Sequence, residues 1–476
     1  MEAGGRGAVE QGCGGAGAPR AVCASPSGRD PESTLLHQVV RGQLSSFLAE
    51  AADRGGLPRF VGRDFTRYLA CGVLAHGFAR LACRTCRAEV LVPFSCKSRG
   101  VCPSCNARRA HDTALHLVER VLPRAPYRQW TLSFPVPLRF CLARDARLLS
   151  EALALFVRAL VALQKRTARR LGVPRPHTGA VAFVQRFGSA LQLTPHFHVL
   201  LPEAVFEELG DGTPGSSPFL RPPTPRWSGW PSPWHAASST GFAPAASLSR
   251  RLPRRKPSSS CSSRASRFRP PGWRPGRRCA FVQGFSLHAN TWLHDNDVLG
   301  LQRLCSYGAR GPLSLERLSE LPDGRLAYRM KRPSPTGAQH LILSPLAFLR
   351  RLAAFVPPPR VNLVRYFGLF APNARLRPSV VPAPLPPAAL TDDAPPPPPQ
   401  TPAPPRRPRR PIPWAELLRR SFGADVLHCP RFGGTRHVVA VVLRSSTAQA
   451  ILEHLRLPSR PLPLAPATSP PQLTLW

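Results

Sequence analysis

The sequence predicts an α+β protein in which a cysteine-rich zinc-binding module precedes a catalytic-type core, a proline-rich linker and a small C-terminal module. Three observations predict it. Two Cys-x-x-Cys pairs, Cys83/Cys86 and Cys102/Cys105, lie fifteen residues apart. Alternating and helical hydrophobic periods succeed one another between about 127 and 201. The 59 prolines exceed ordinary usage and crowd into stretches that have neither period.

The elements follow in order. Residues 1–31 are Gly-rich without an apolar run, so they read as a disordered leader and not as a signal peptide. Ser33 or Thr34 can cap a helix whose stripe is Leu35, Leu36, Val39, Val40, Leu44, Phe47 and Leu48. A helix-forming and cysteine-rich domain is expected over 34–123. It ends with a helix carrying Ala107, Ala110, Ala114, Leu117, Val118, Val121 and Leu122 on one face and stopping before Pro123. The core is expected over 127–380. Its first strand spans 129–134, with Trp130, Leu132 and Phe134 on one face. An amphipathic helix over 145–171 and strands over 180–187 and 191–201 come next.

Between 213 and 278 the periods vanish, and Ser, Pro, Arg and four tryptophans dominate. Three readings fit this segment: a basic, aromatic loop that stacks on single-stranded DNA, a disordered insertion, or a pair of compensating frameshifts. Folded patterning resumes at 279 and lasts to about 380. Residues 381–411, including the run Pro395 to Pro399, form an extended linker to a module at 412–459 and a tail at 460–476.

Charge bears on partners. There are 65 Lys+Arg against 26 Asp+Glu, a formal charge of +39, and only Lys97, Lys165, Lys256 and Lys331 are lysines. Arginine pairs with phosphate in a bidentate fashion and stacks on bases, so nucleic acid is favoured over a membrane surface. No apolar run reaches eighteen residues. The 13 cysteines do not make a dense secreted scaffold. The expected compartment is the cytoplasm, with the chain on the nucleoid.

Two Cys-x-x-Cys pairs supply four soft ligands for a closed tetrahedral Zn²⁺ site, here Cys83, Cys86, Cys102 and Cys105. Cys71, His76 and Cys96 stand nearby, so another ligand set or a second ion is open. Lys97, Arg99, Arg108 and Arg109 would give this module a phosphate-binding face. In Pro195-His196-Phe197-His198, strand alternation puts His196 and His198 on one face and Phe197 on the other. Two imidazoles on one strand make two legs of a divalent-metal site. Gln185, Gln192 and His288 are candidates for the third; the bland alternative is a pair of hydrogen-bonded histidines.

These stretches, with WTLSFPVPLRF, FVQRFGSALQLTPHFHVLLPEAVF, GFSLHAN, LCSYGARGPLSLERL and RYFGLFAPNARLR, resemble the HUH (histidine–hydrophobe–histidine) tyrosine transposases of the insertion-sequence ninety-one type and their ISCR relatives. The resemblance covers most of 34–380 apart from 213–278. It implies a core with a central antiparallel sheet flanked by helices, and an N-terminal zinc domain that helps recognise the element's DNA end. It also implies rolling-circle-like transposition, in which one DNA strand is nicked through a tyrosine and rejoined to a target. By motif matching, Tyr307 is the nucleophile, and His196 and His198 hold Mg²⁺ or Mn²⁺. A phenol is protonated at neutral pH and needs activation, and the divalent ion would polarise the scissile phosphate and stabilise developing charge.

On the residues themselves, Tyr307 falls at the edge of a helical stripe of Val298, Leu301, Leu304 and Cys305, about 60° from Leu304. Tyr366 is the next candidate. The chain departs from the family pattern at Arg303, where a second tyrosine is common, at Phe367, and at Phe432, where a CPxCG knuckle has its second cysteine. That last change argues for a packed C-terminal fold without metal. A protein that only bound nucleic acid would keep the cysteines and arginines without needing His196, His198 or Tyr307, and an inactive copy would accumulate such departures.

Overall fold

A computed structural model describes residues 22–23, 30–207, 278–334, 336–381 and 414–468. The expected leader apart from residues 22–23 and 30–31, nearly all of the aperiodic 213–278 segment, the linker and the end of the tail lie outside the described residues. The chain divides into two compact units, one of residues 1–98 with 409–476 and one of 99–408.

The first unit begins with the two-residue strand β1 (Val22–Cys23). Helix α1 (Leu35–Asp53) starts where the sequence says it should, because Thr34 Oγ1 accepts the His37 N–H. Its buried stripe of Leu36, Val39, Val40, Leu44 and Phe47 meets α2 (Arg59–Leu69), with the rings of Phe47 and Phe65 5.7 Å apart. Strands β2 (Phe78–Cys83) and β3 (Glu89–Pro93) then form an antiparallel hairpin, which Arg80 and Glu89 clasp at 2.6 Å.

The second unit is built on a seven-stranded sheet. Its elements in chain order are α3 (Pro103–Arg120), β4 (Tyr127–Ser133), α4 (Val136–Arg144), α5 (Ala146–Arg170), β5 (Gly179–Phe187) and β6 (Leu193–Pro202). Strands β7 (Cys279–Val282), β8 (Phe285–His288) and β9 (Trp292–Leu293) follow, then helix α6 (Val298–Ala309). A small sheet of β10 (Leu318–Glu320), β11 (Leu326–Arg329) and β12 (His340–Leu343) leads to α7 (Pro345–Phe355), β13 (Val364–Gly368) and α8 (Arg377–Val380). The main sheet runs β13-β5-β6-β4-β8-β7, with β9 beside β4, and every pairing is antiparallel.

Period-2 alternation gives this sheet two apolar faces. Leu132, Phe197, Val199, Ala182 and Val184 face Leu149, Leu153, Phe156 and Leu160 of α5 and Leu142 of α4. Tyr127, Leu200, Val181 and Phe183 face Ala114 and Leu117 of α3 and Leu301 and Cys305 of α6. Helix α4 has no counterpart in the periodicity, because prolines flank its start. Pro137 occupies the first turn, where a missing N–H costs nothing. Val298, expected in the α6 stripe, is 41 % exposed because the stripe begins at Leu301.

The C-terminal segment completes the first unit with α9 (Trp414–Phe422), β14 (Arg436–Val442) and α10 (Ser445–His454). The sequence suggests a separate module here. Instead, β14 pairs antiparallel with β2, giving the order β1-β3-β2-β14. Ala448 and Leu452 of α10 pack on Phe78 and Leu91, and Ala415 of α9 packs with Leu81 and Val90 on the other face. A segment this short has too little apolar area to stand alone, so it borrows the N-terminal sheet. Among the described residues no helix is long and apolar enough to cross a membrane.

The end of α6 lies close on β5 because residue 308 is glycine. A Cβ there would sit 2.6 Å from the Phe183 ring. Gly308→Ala is therefore expected to destabilise the protein by about 1–3 kcal/mol, read from urea unfolding. An unchanged midpoint would show that this approach is loose.

Candidate active site and thiol centre

Strand β6 carries the site's two imidazoles. Phe197 is fully buried on the α5 side, so His196 and His198 project to the face that α3 and α6 cover. Their ring centres are 4.9 Å apart. Each ring is oriented by its Nδ1. That of His196 lies 2.8 Å from the Thr194 carbonyl, which can only accept, so Nδ1 carries the proton and Nε2 offers a lone pair. That of His198 lies 3.0 Å from Thr131 Oγ1 on the neighbouring β4. The buried His198 Nε2 has no hydrogen-bond partner among the described residues.

Burial is the main reason that both imidazoles resist protonation. His198 is pushed down to about 3 by desolvation, helped by His196 and Arg310. His196 is lowered by the same desolvation and by Arg310 and Arg139, against the raising effect of the Thr194 carbonyl. The pair therefore stands neutral at ordinary pH, the state that ligates metal.

Gln185 lies opposite His196 in the β5–β6 register. Its Nε2 donates to the carbonyls of Tyr307 (2.7 Å) and Gly308 (3.0 Å), closing the last turn of α6. Its Oε1 is buried and has no partner among the described residues. A buried acceptor left in this way costs about 1–3 kcal/mol. In the tautomer whose Nδ1 donates to Thr131, His198 Nε2 has a free lone pair, and with Gln185 Oε1 and the His196 lone pair it makes a nitrogen and oxygen donor set that fits a divalent cation.

Helix α6 brings in the tyrosine. Asp297 caps its start by accepting the Gly300 N–H at 2.8 Å, Leu301 and Cys305 anchor it, and Gly308 sets its end against Phe183. The Tyr307 ring then stands 5.8 Å from His198, nearly perpendicular to it, and 40 % exposed. The Arg310 guanidinium lies 4.4 Å above the Tyr307 ring centre, and its Nη2 reaches the phenol oxygen at 3.5 Å. Lys331 Nζ is 5.2 Å from the same ring. Desolvation, with Arg310 and Arg317, lowers the Lys331 pKa, as expected where cations crowd. Such a site attracts a phosphodiester. Beside it opens a cleft of about 250 Å³ lined by Asn106, Arg109, Arg186, Phe187 and Arg310 among others.

Other candidates fall elsewhere. His288 pairs with Thr131 in register, but its ring is bonded to Cys279 Sγ (3.0 Å) and Ser286 Oγ (2.9 Å). Gln192 is exposed and accepts the Ala190 N–H within its own loop. Tyr366 sits on β13 against the apolar cluster, and burial raises its phenol pKa. Of the expected phosphate contacts, Arg109 lines the cleft and Arg108 is half-buried on α3. Arg99 instead donates to the Val361 and Pro358 carbonyls, and Lys97 is exposed. The sequence reading missed Thr131, Arg310 and Lys331; a polar residue inside the β4 alternation and an arginine one helical turn after Tyr307 were the available signals.

The thiols group differently from the expected Cys83, Cys86, Cys102 and Cys105 set. In the first unit, the sulfurs of Cys83, Cys86 and Cys429 lie within 4.8 Å of one another. The Cys86 backbone N–H bonded toward its sulfur draws Cys83 down to about 7, with Thr85 and the two other thiols helping. Also in this unit, Cys71 Sγ accepts the Cys96 N–H at 3.4 Å. In the second unit, Cys102 caps α3 by accepting the Cys105 N–H at 3.5 Å. His76 is exposed and belongs to none of these thiol groups.

Two family models match the chain. One, described as "Transposase zinc-binding domain", matches residues 43–134, which include Cys71, Cys83, Cys86, Cys96, Cys102 and Cys105. The other, described as "Putative transposase", matches residues 234–377, which include Tyr307 but not the histidine pair. Among curated proteins and solved structures, nothing matches. The zinc-binding domain and the cysteine groups together support structural zinc.

The depressed His198 pKa makes stability pH-dependent without added metal. Between about 6.5, the ordinary imidazole value, and about 3, the unfolded chain binds a proton that the folded chain refuses. This stabilisation is complete above the upper value and is lost as the pH falls. On going from pH 7.5 to 5, wild type should lose about 2 kcal/mol more than His198→Gln, read from urea midpoints. Equal losses would contradict a desolvated neutral imidazole.

Proposed function

We infer that this chain, which belongs to the insertion-sequence ninety-one type transposases and carries their N-terminal zinc-binding domain, nicks and rejoins single-stranded DNA through Tyr307. The observation that carries this reading is the Tyr307 ring standing 5.8 Å from His198, beside two buried polar atoms without a hydrogen-bond partner among the described residues, His198 Nε2 and Gln185 Oε1. A purely structural site would have these buried atoms hydrogen-bonded.

In this reading the Tyr307 oxygen attacks the scissile phosphorus. An O–P bond forms, the bond from phosphorus to the 3′ oxygen breaks, the phenol proton is lost and the leaving oxygen is protonated. The products are a 5′-phosphotyrosine and a 3′-hydroxyl. The ester linkage is conserved, so a target 3′-hydroxyl can reverse the step without ATP. Arg310, within reach of the phenol oxygen, and Lys331 offset phosphate charge. Gln185 holds the tyrosine's helix end in position.

His196, His198 and Gln185 would hold Mg²⁺ or Mn²⁺. Such an ion, when bound, stabilises the charge that develops on the phosphate. Structural zinc is assigned to the zinc-binding domain, whose matched residues 43–134 carry the Cys83-x-x-Cys86 and Cys102-x-x-Cys105 pairs.

The test is a single-stranded oligonucleotide carrying the element's end, incubated with the protein and Mn²⁺ and analysed on a denaturing gel. Wild type should form a covalent protein–DNA adduct. Tyr307→Phe should form none, and His198→Ala should slow adduct formation roughly 100-fold or more. DNA binding without any adduct from wild type would favour a protein that only binds DNA. An undiminished adduct from Tyr307→Phe would move the nucleophile elsewhere.

A further inference from the structure

We propose that Cys83, Cys86 and Cys429 bind a zinc ion of their own, separate from any held by the remaining cysteines of the zinc-binding domain, that ties the C-terminal segment to the N-terminal sheet. The fourth coordination position is left to solvent or an added ligand, because Phe432 holds the loop position from which a fourth thiol would come.

Two chain segments far apart in sequence adopt the same loop. In the first, the Cys83 N–H donates to the Ala88 carbonyl (3.0 Å), and the Arg87 N–H donates to the Cys83 carbonyl (2.9 Å). In the second, the Cys429 N–H donates to the Gly434 carbonyl (2.8 Å), and the Gly433 N–H donates to the Cys429 carbonyl (2.9 Å). The fifth residue has a positive φ in both, +56° at Arg87 and +65° at Gly433. This is a knuckle, a tight loop that turns its first and fourth side chains to one point. Cys83 and Cys86 hold those positions in the first loop, and Cys429 and Phe432 hold them in the second.

Pairing of β2 with β14 brings the knuckles face to face. Cys83 is opposite Arg436 in the register, and a Cβ on Gly434 would lie 3.8 Å from the Cys83 sulfur. The Cys86 and Cys429 sulfurs are 3.6 Å apart. That spacing suits thiolates sharing one ion at Zn–S distances near ~2.3 Å. A purely packed role explains the arrangement less well, because Phe432 is 64 % exposed and fills nothing. Three protein ligands with one open position make a zinc site, though a less strongly held one than four thiolates.

The test is zinc content and chelator release on the full-length chain, purified under reducing conditions. Wild type should hold two zinc ions, one released at least tenfold faster than the other. Cys429→Ser should lose the fast one, and Cys102→Ser the slow one. Phe432→Cys, which completes the second knuckle, should slow the fast release at least tenfold. This gain cannot come from misfolding. One zinc in wild type that Cys429→Ser leaves unchanged would overturn the proposal. So would a Cys86–Cys429 disulfide, or a Phe432→Cys chain that releases zinc as wild type does.

Discussion

The register of β6 between β4 and β5 is the constraint on which the site depends. Both neighbours are antiparallel, so Thr131 and Phe183 lie opposite His198, and Ser133 and Gln185 lie opposite His196. Phe197 holds this phase. Its ring is fully buried and meets Phe134 edge-on at 5.1 Å, a burial worth about 1.5–3 kcal/mol. A slip of one residue would turn both imidazoles into the α5 core and expose the phenyl ring, a double penalty that fixes one alignment. Along the same face Leu200 and Val181 belong to the core, while His198, His196 and Gln185 line the candidate site. One row of side chains thus passes from packing to chemistry.

The second requirement is the seat of α6. Three interactions converge on its last turn: Gly308 against Phe183, the Gln185 amide on two helix-end carbonyls, and the buried Cys305. Carbonyls at a helix end lack partners within the helix, so a side chain that satisfies two of them also fixes where the helix stops. Gln185 therefore links the position of Tyr307 to the strand that pairs with the histidines. Its remaining oxygen is one of the atoms left open to a ligand.

The first unit follows another logic. Its sheet is small, and its outer strand β14 and both covering helices come from the C-terminal segment. Limited apolar area is a common reason for thiol-bound metal in such units. The knuckles at Cys83 and Cys429 lie where β2 and β14 meet, the place where a tie between distant segments removes most freedom from the unfolded chain.

Local rules made much of this legible. Thr34 as a helix cap, the α1 and α5 stripes, the alternation in β4, β5 and β6, and the shared face of His196 and His198 all follow from 3.6- and 2-residue periods. Those periods act over a few residues, so a linear string contains them. The α4 helix was not legible, because its prolines mask a legitimate first turn. The sequence also could not choose among Gln185, Gln192 and His288 as companions of the histidine pair. Cross-strand register places Gln185 opposite His196, whereas Gln192 bonds within its own loop and His288 bonds to Cys279 and Ser286. The charge of +39 pointed to a polyanion, whereas the crowding of Arg310 and Lys331 at Tyr307 depends on the fold.

The cysteines mark the boundary most clearly. The sequence by itself determined that thiols recur at metal-binding spacing and that two histidines share a strand face. Only the tertiary structure decided that Cys83 and Cys86 join Cys429. The partner of a knuckle is chosen by strand pairing across hundreds of residues, and no local period records that.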